Sequence, residues 1–205
     1  MACKKHEAPV AAAPAPALTQ APAANTPAAP AEPTAEQAEK AAKQELLNYN
    51  VMEDKYMHDE KAQWASTAKA SSVYGDPTPN DMNLAKFATG PIDSNQWVNN
   101  NIELGFDWLE LGYAKPVQAS EVRLVLTDGQ GAESLSKVEL QDTDGKWNVV
   151  WEGISETKKD KRGARTWVVR SFEKTPYKVK GVKYTFANNL EHGYKYVEAA
   201  QLVGE

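Results

Sequence analysis

The chain has 205 residues, 41% of them hydrophobic and 25% charged, which is enough for one packed domain with sequence to spare. Its 28 acidic residues outnumber 23 basic ones, and the resulting formal net charge of -5 argues against a nucleic-acid binder, which needs clustered cations to displace phosphate counterions. No run approaches the ~20 apolar residues that a membrane-spanning helix requires.

The first feature along the chain is its single cysteine, Cys3, which rules out an intramolecular disulfide and lies too near the terminus to belong to a core. Lys4, Lys5 and then a long Ala/Pro stretch follow it. The arrangement resembles a mature bacterial lipoprotein, cut just before a lipid-modified cysteine. That resemblance implies a lipid anchor on Cys3, with Met1-Ala2 as a scar or stub, since no apolar signal segment precedes it. Lysine after the cysteine implies, in Gram-negative lipoproteins, sorting to the outer membrane. The alternative is an incidental free thiol in a tail.

Seven of the twelve prolines precede residue 34. Proline removes backbone donors and favours extended chain, so residues 1–33 read as a disordered spacer that holds a domain away from a surface. At Thr34 the composition changes. Thr34 is placed as an N-cap, with an acid in the first turn and good helix formers from 35 to 47. Leu46, Leu47, Val51, Met52, Tyr56 and Met57 continue an approximate helical stripe, so a helical segment is assigned to residues 34–61. It can pack on the domain, pair with a partner or extend the stalk.

From about Trp64 the period becomes two. Val122, Leu124 and Leu126 fall on one face; Leu109 and Leu111, Val138 and Leu140, and Val182, Tyr184 and Phe186 behave alike. Trp147, Val149 and Trp151 are expected to share a face, as are Trp167 and Val169. Turn signals at Asp128-Gly129, Asp144-Gly145 and Lys180-Gly181 separate these runs. Many short strands without helices between them mean an all-β sandwich or barrel.

The order of motifs narrows this further. Trp64 to Gly75, then Ala88-Thr89-Gly90-Pro91-Ile92-Asp93 ahead of Trp97, then Trp108-Leu109-Glu110-Leu111-Gly112-Tyr113 with Lys115-Pro116-Val117 and Val122-Arg123-Leu124, resemble the galactose-binding-like superfamily of discoidin or coagulation-factor C-type domains. Lys137 to Trp151 is similar to its hairpin, and Tyr177 to Phe186 and Val197 to Gly204 to its last two strands. The resemblance covers residues 62–205 and implies a jelly-roll β-sandwich of about eight strands. Members of that superfamily bind glycans, anionic lipids or proteins, and the fold alone does not choose among them.

Chemistry of the catalytic kind is hard to find. Of three histidines, only His192 lies in the domain, and no nucleophile motif accompanies it. The acids alternate with apolar residues, as solvated strand faces do, and no enzyme is expected. Asp142-Thr143-Asp144-Gly145 lacks the later ligands of a calcium loop and reads as a hairpin turn. The superfamily resemblance implies a possible structural calcium near the first long loop, with Asp93 as the matching acid and Asp76 and Asp81 as further donors. The second acid would align near Ala199, which cannot ligate, and the adjacent Glu198 is expected to point to the opposite face. The alternative is an ordinary loop held by Asx turns.

A glycan site pairs an aromatic platform with amide and charged hydrogen-bonding groups. Tyr74, Trp97, Asn99 and Asn100 supply one such set, and Asn189, His192 and Tyr194 another; Trp97 is also a candidate for the core. Trp64, Trp108, Trp147, Trp151 and Trp167 fall on strand patterns and are assigned to the core. The only basic cluster, Lys158 to Arg165, adds Arg162 and Arg165 as candidates for an anionic ligand, or is a charged hairpin loop. The expectation is a membrane-tethered envelope module that recognises carbohydrate through loops at one end of the sandwich. The alternative is an interaction subunit of an envelope complex.

Overall fold

The computed structural model describes residues 33–75, 78 and 82–205, so Cys3, Asp76 and Asp81 lie outside the described residues. Helix α1 (Ala35–Met57) starts with a reciprocal cap: the Gln37 amide donates to Thr34 Oγ1 at 3.3 Å, and the Thr34 amide to Gln37 Oε1 at 2.9 Å. No described helix is long and apolar enough to cross a membrane.

Ten strands follow among the described residues, in two antiparallel sheets packed as a jelly-roll sandwich. The first sheet runs β1 (Ala62–Trp64), β10 (Tyr196–Gly204), β5 (Ala119–Thr127), β8 (Arg165–Ser171), with the two-residue β3 (Trp97–Val98) also on β10. The second runs β2 (Thr67–Ala70), β4 (Phe106–Val117), β9 (Val179–Ala187), β6 (Leu135–Asp142), β7 (Trp147–Glu152). The strand count exceeds the expected eight because β1 and β3 are only three and two residues long and carry no legible alternation. Between the sheets lie the residues marked by the period-two pattern, among them Leu109, Leu111, Val122, Leu124, Val138 and Tyr184.

Three details depart from simple alternation. The Trp64–Ala70 run splits at Ala65-Ser66, so β1 joins the first sheet and β2 the second. Lys180-Gly181 is not a turn; both residues lie inside β9. A register shift between Val138 and Glu139 places Trp147 opposite Gln141 and Trp151 opposite Val138. One inserted residue exchanges faces, so Trp151 packs against the core while Val149 is exposed. Trp108 and Trp147 are likewise not core residues; both carry the Lys183 ammonium, at 4.7 and 5.7 Å from their ring centroids.

The outer face of the first sheet is covered by the C-terminal half of α1. Met52 and Tyr56 pack with Trp64, Val125, Trp167 and Ala199. Tyr49 is 3% exposed, and its hydroxyl donates to the Arg165 carbonyl at 2.9 Å. A side chain at Gly163 would collide with the Tyr49 ring, so glycine is what lets the helix approach. Burial and the nearby Glu53 carboxylate push the Tyr49 hydroxyl up to about 12. Tyr49→Ala is expected to cost about 3 kcal/mol in urea unfolding. A loss below about 1 kcal/mol would mean that the docked helix adds nothing to stability.

Candidate ligand-binding site

At one end of the sandwich, several loops are tied to a single buried carboxylate. Asp107, the second residue of β4, lies on the same face as Leu109 and Leu111 and is 1% exposed. It accepts from Ser71 Oγ at 2.6 Å, Ser72 Oγ at 2.7 Å, Asn99 Nδ2 at 2.8 Å and Asn188 Nδ2 at 3.2 Å. Burial alone raises its pKa, but these four donors outweigh burial and hold the carboxyl below its usual range. Asn99 also takes the Lys195 amide on its Oδ1 at 2.7 Å. The fully buried Lys195 ammonium donates to the carbonyls of Glu191 and Gly193, each at 2.7 Å, and desolvation lowers its pKa.

This polar knot fixes the loops that carry two tyrosines. The Tyr74 amide donates to the Val98 carbonyl at 2.8 Å, and the Gly75 amide to Asn100 Oδ1 at 3.3 Å. Tyr74 and Tyr194 meet edge to face, with ring centroids 4.8 Å apart and an interplanar angle of 83°. With Asn83, Val98 and Tyr196 they line a cavity of about 220 Å³. Tyr74 remains 44% exposed and Asn100 beside it is exposed, so an aromatic surface and a side-chain amide both meet solvent.

The candidate residues divide accordingly. Tyr74 and Tyr194 come together, and Asn100 lies beside them. Asn189 and His192 are exposed on the adjoining segment, outside the lining of that cavity. Trp97 is not a ligand platform: it is fully buried, its Nε1 donates to the Ser72 carbonyl at 2.9 Å, and its ring packs 6.0 Å from Phe186. Asn99 is fully buried in the knot and cannot reach a ligand. Arg162 and Arg165 are removed from the set because they are already neutralised. Arg162 pairs with Asp160 at 2.8 Å and Glu45 at 3.4 Å, and Lys158 and Lys159 pair with Glu133 and Asp128. Asp107 and Lys195 escaped the sequence reading, and Asn188, which opens the second candidate stretch, proves to be fully buried in the knot. The legible signal was an acid at the inward-facing parity of β4, two residues before Leu109.

Of the three expected calcium donors, Asp93 alone lies among the described residues. Asp93 is held below the usual carboxylate range by Asn95, whose amide donates to Oδ1 and whose side chain donates to Oδ2, both at 2.9 Å. A register shift between Val197 and Ala199 breaks the parity that turned Glu198 away. Glu198, 2% exposed, therefore reaches the loop and accepts from the Ser94 amide at 2.8 Å. Its cation is the Arg165 guanidinium, at 2.8 Å from Oε2 and 3.1 Å from Oε1. Among the described residues no group of three or more His, Cys, Asp or Glu could hold a metal.

No protein-family model matches the chain, and no curated protein matches it. Solved structures do. An F5/8 type C domain from Bacteroides fragilis is 15% identical with a TM-score of 0.53, over 71% of this chain and 98% of that one. CBM32-3 from a family 31 glycoside hydrolase of Clostridium perfringens is 13% identical with a TM-score of 0.50, over 71% of this chain and 92% of that one. The sandwich thus shares the jelly-roll fold of these two structures, the fold that the order of motifs implied. At such identities the likeness concerns the fold and leaves the ligand to the site.

Proposed function

We propose that this chain is a non-catalytic carbohydrate-binding module, tethered to the bacterial envelope through a lipid on Cys3 and directed to the outer membrane. The observation that carries the binding reading is the Tyr74–Tyr194 pair, with Tyr74 exposed, beside Asn83 and Asn100 and set on a polar knot. A sugar ring offers an apolar C–H face to an aromatic surface and hydroxyl edges to amides. Loops pinned beforehand lose little entropy on binding. The name CBM32-3 borne by one structure of the same fold, a module of a glycoside hydrolase, supports the same ligand class.

A glycan array probed with the full chain tests this reading. Binding of a neutral oligosaccharide is expected, with Tyr194→Ala and Tyr74→Ala each weakening it about tenfold while the melting temperature stays unchanged. Unaltered binding by both variants would refute the assignment of the site. A second reading, an interaction subunit of an envelope complex, is favoured by Leu46, Leu47 and Val51, which leave apolar side chains exposed on α1. It expects no binding anywhere on the array.

A further inference from the structure

The outer face of the second sheet carries a feature that strand stability does not require. One cross-strand row runs from Thr67 on β2 through Gly112 on β4, Gly181 on β9 and Gln141 on β6 to Trp147 on β7. Two adjacent glycines leave the middle of that row without side chains, and a groove of about 410 Å³ opens there. Glycine inside a strand weakens it, and it persists where a bulge, a bend or a close approach calls for it. Gly112 has such a cause, because a Cβ there would collide with Thr67 Oγ1. Gly181 has no such steric cause: its φ is not left-handed, and its Cβ would meet Gln141 and the Leu111 carbonyl no closer than 3.4 Å, although both flanking ladders shift register between it and Val179.

The walls are chemically selective. Trp147 supplies an aromatic surface at one end of the row. Gln141 spends its Nε2 on the Gly145 carbonyl at 3.2 Å, which leaves Oε1 as an acceptor beside Gly181. Lys69 and Lys180 line the groove with two positive charges. The one carboxylate in the lining, Glu110, is already paired with Lys183 at 3.1 Å. Lys180 donates to the Thr143 carbonyl at 3.0 Å, and Lys69 lies across the strand from Glu110; among the described residues neither groove lysine forms an ion pair with a carboxylate.

We infer that this groove is a second binding site, for an acidic glycan whose sugar lies over Gly181 against Trp147 and whose carboxylate or sulfate meets Lys69 and Lys180. A charge-assisted hydrogen bond from an ammonium suits such an anion, and the ring platform suits the C–H face of the same sugar. The site lies on the second sheet, whereas the Tyr74 cavity includes Val98 and Tyr196 of the first. It stands on its own residues and does not depend on the loop-end reading. A polysaccharide long enough to reach both sites would gain avidity.

Isothermal titration of the full chain with oligogalacturonate, oligomannuronate and chondroitin sulfate at low salt tests the site. At least one of them is expected to bind, more tightly than neutral galactan and less tightly as salt is added. Gly181→Val, which fills the groove where a side chain has room, and Trp147→Ala are each expected to weaken binding about tenfold. The Lys69→Ala/Lys180→Ala double variant should remove the salt dependence, while Tyr194→Ala leaves affinity within about twofold. Absence of binding by all three glycans overturns the proposal, as does equal affinity for neutral galactan. So does a result in which Gly181→Val and Trp147→Ala both bind like the wild type. Loss on Tyr194→Ala alone would leave the loop-end site standing and remove the groove.

Discussion

Asp107→Ala is expected to destabilise the chain by about 3 kcal/mol or more and to abolish binding at the Tyr74–Tyr194 end. The carboxylate has four side-chain donors, and hydrogen bonds to a charged acceptor are worth about 1.5–3 kcal/mol each, though not additively. After truncation the serines can turn toward water. The Asn99 and Asn188 amides are fully buried and cannot. Because these donors come from three separate loops, the variant should also lose the Tyr74–Tyr194 geometry, which a melting curve and a glycan titration would record together. A variant that unfolds like the wild type would show the knot to be incidental.

The same carboxylate sets a pH dependence with a definite sign. Its folded pKa is depressed, so its stabilisation is complete above the unfolded value, about 3.9, and is lost as pH falls through the lower folded value. Asp59, Asp93 and Asp160 are depressed too, so the chain as a whole should weaken on acidification. Asp107→Asn isolates the one contribution. It should be less stable than the wild type at pH 7, with a gap that narrows below about pH 4. A gap constant from pH 7 to pH 3 would rule out an ionised Asp107 as the organiser of the knot.

What the sequence displayed, and what it hid, has a single physical cause. Strict alternation reports a strand with one buried face, and it located the Leu109–Leu111, Val122–Leu126 and Val182–Phe186 runs on the correct side. It fails where the register slips. The shift at Val138/Glu139 separated Trp151 from Trp147, and the shift at Val197/Ala199 sent Glu198 to the Ser94 loop. It is also silent where both faces are covered: β10 is buried along most of its length because α1 closes the face that would otherwise be wet. Of the loop-end residues, Tyr74 and Tyr194 stand out in the sequence as aromatics in loops, and the fold brings their rings together. Asn99 was misread because an asparagine that satisfies buried donors looks, in sequence, like one that awaits a ligand.

The Arg165–Glu198 pair yields the other large effect. Arg165→Ala would leave a carboxylate, 2% exposed, with no cation beside it, and breaking a buried pair from one side costs about 3–5 kcal/mol. Arg165 keeps 26% of its side chain exposed, which lets some water in and places the expectation near the lower figure. Arg165→Lys should fall between, since it restores charge but not the two-pronged geometry. Glu198 also holds the Ser94 amide, and Ser94 sits at a φ of 70°, a strained conformation for a side-chain-bearing residue. Glu198→Ala should therefore free the 92–95 turn as well, and amide exchange at Ser94 should accelerate more in this variant than in Arg165→Ala. An Arg165→Ala variant within about 1 kcal/mol of the wild type would remove the arginine from this role.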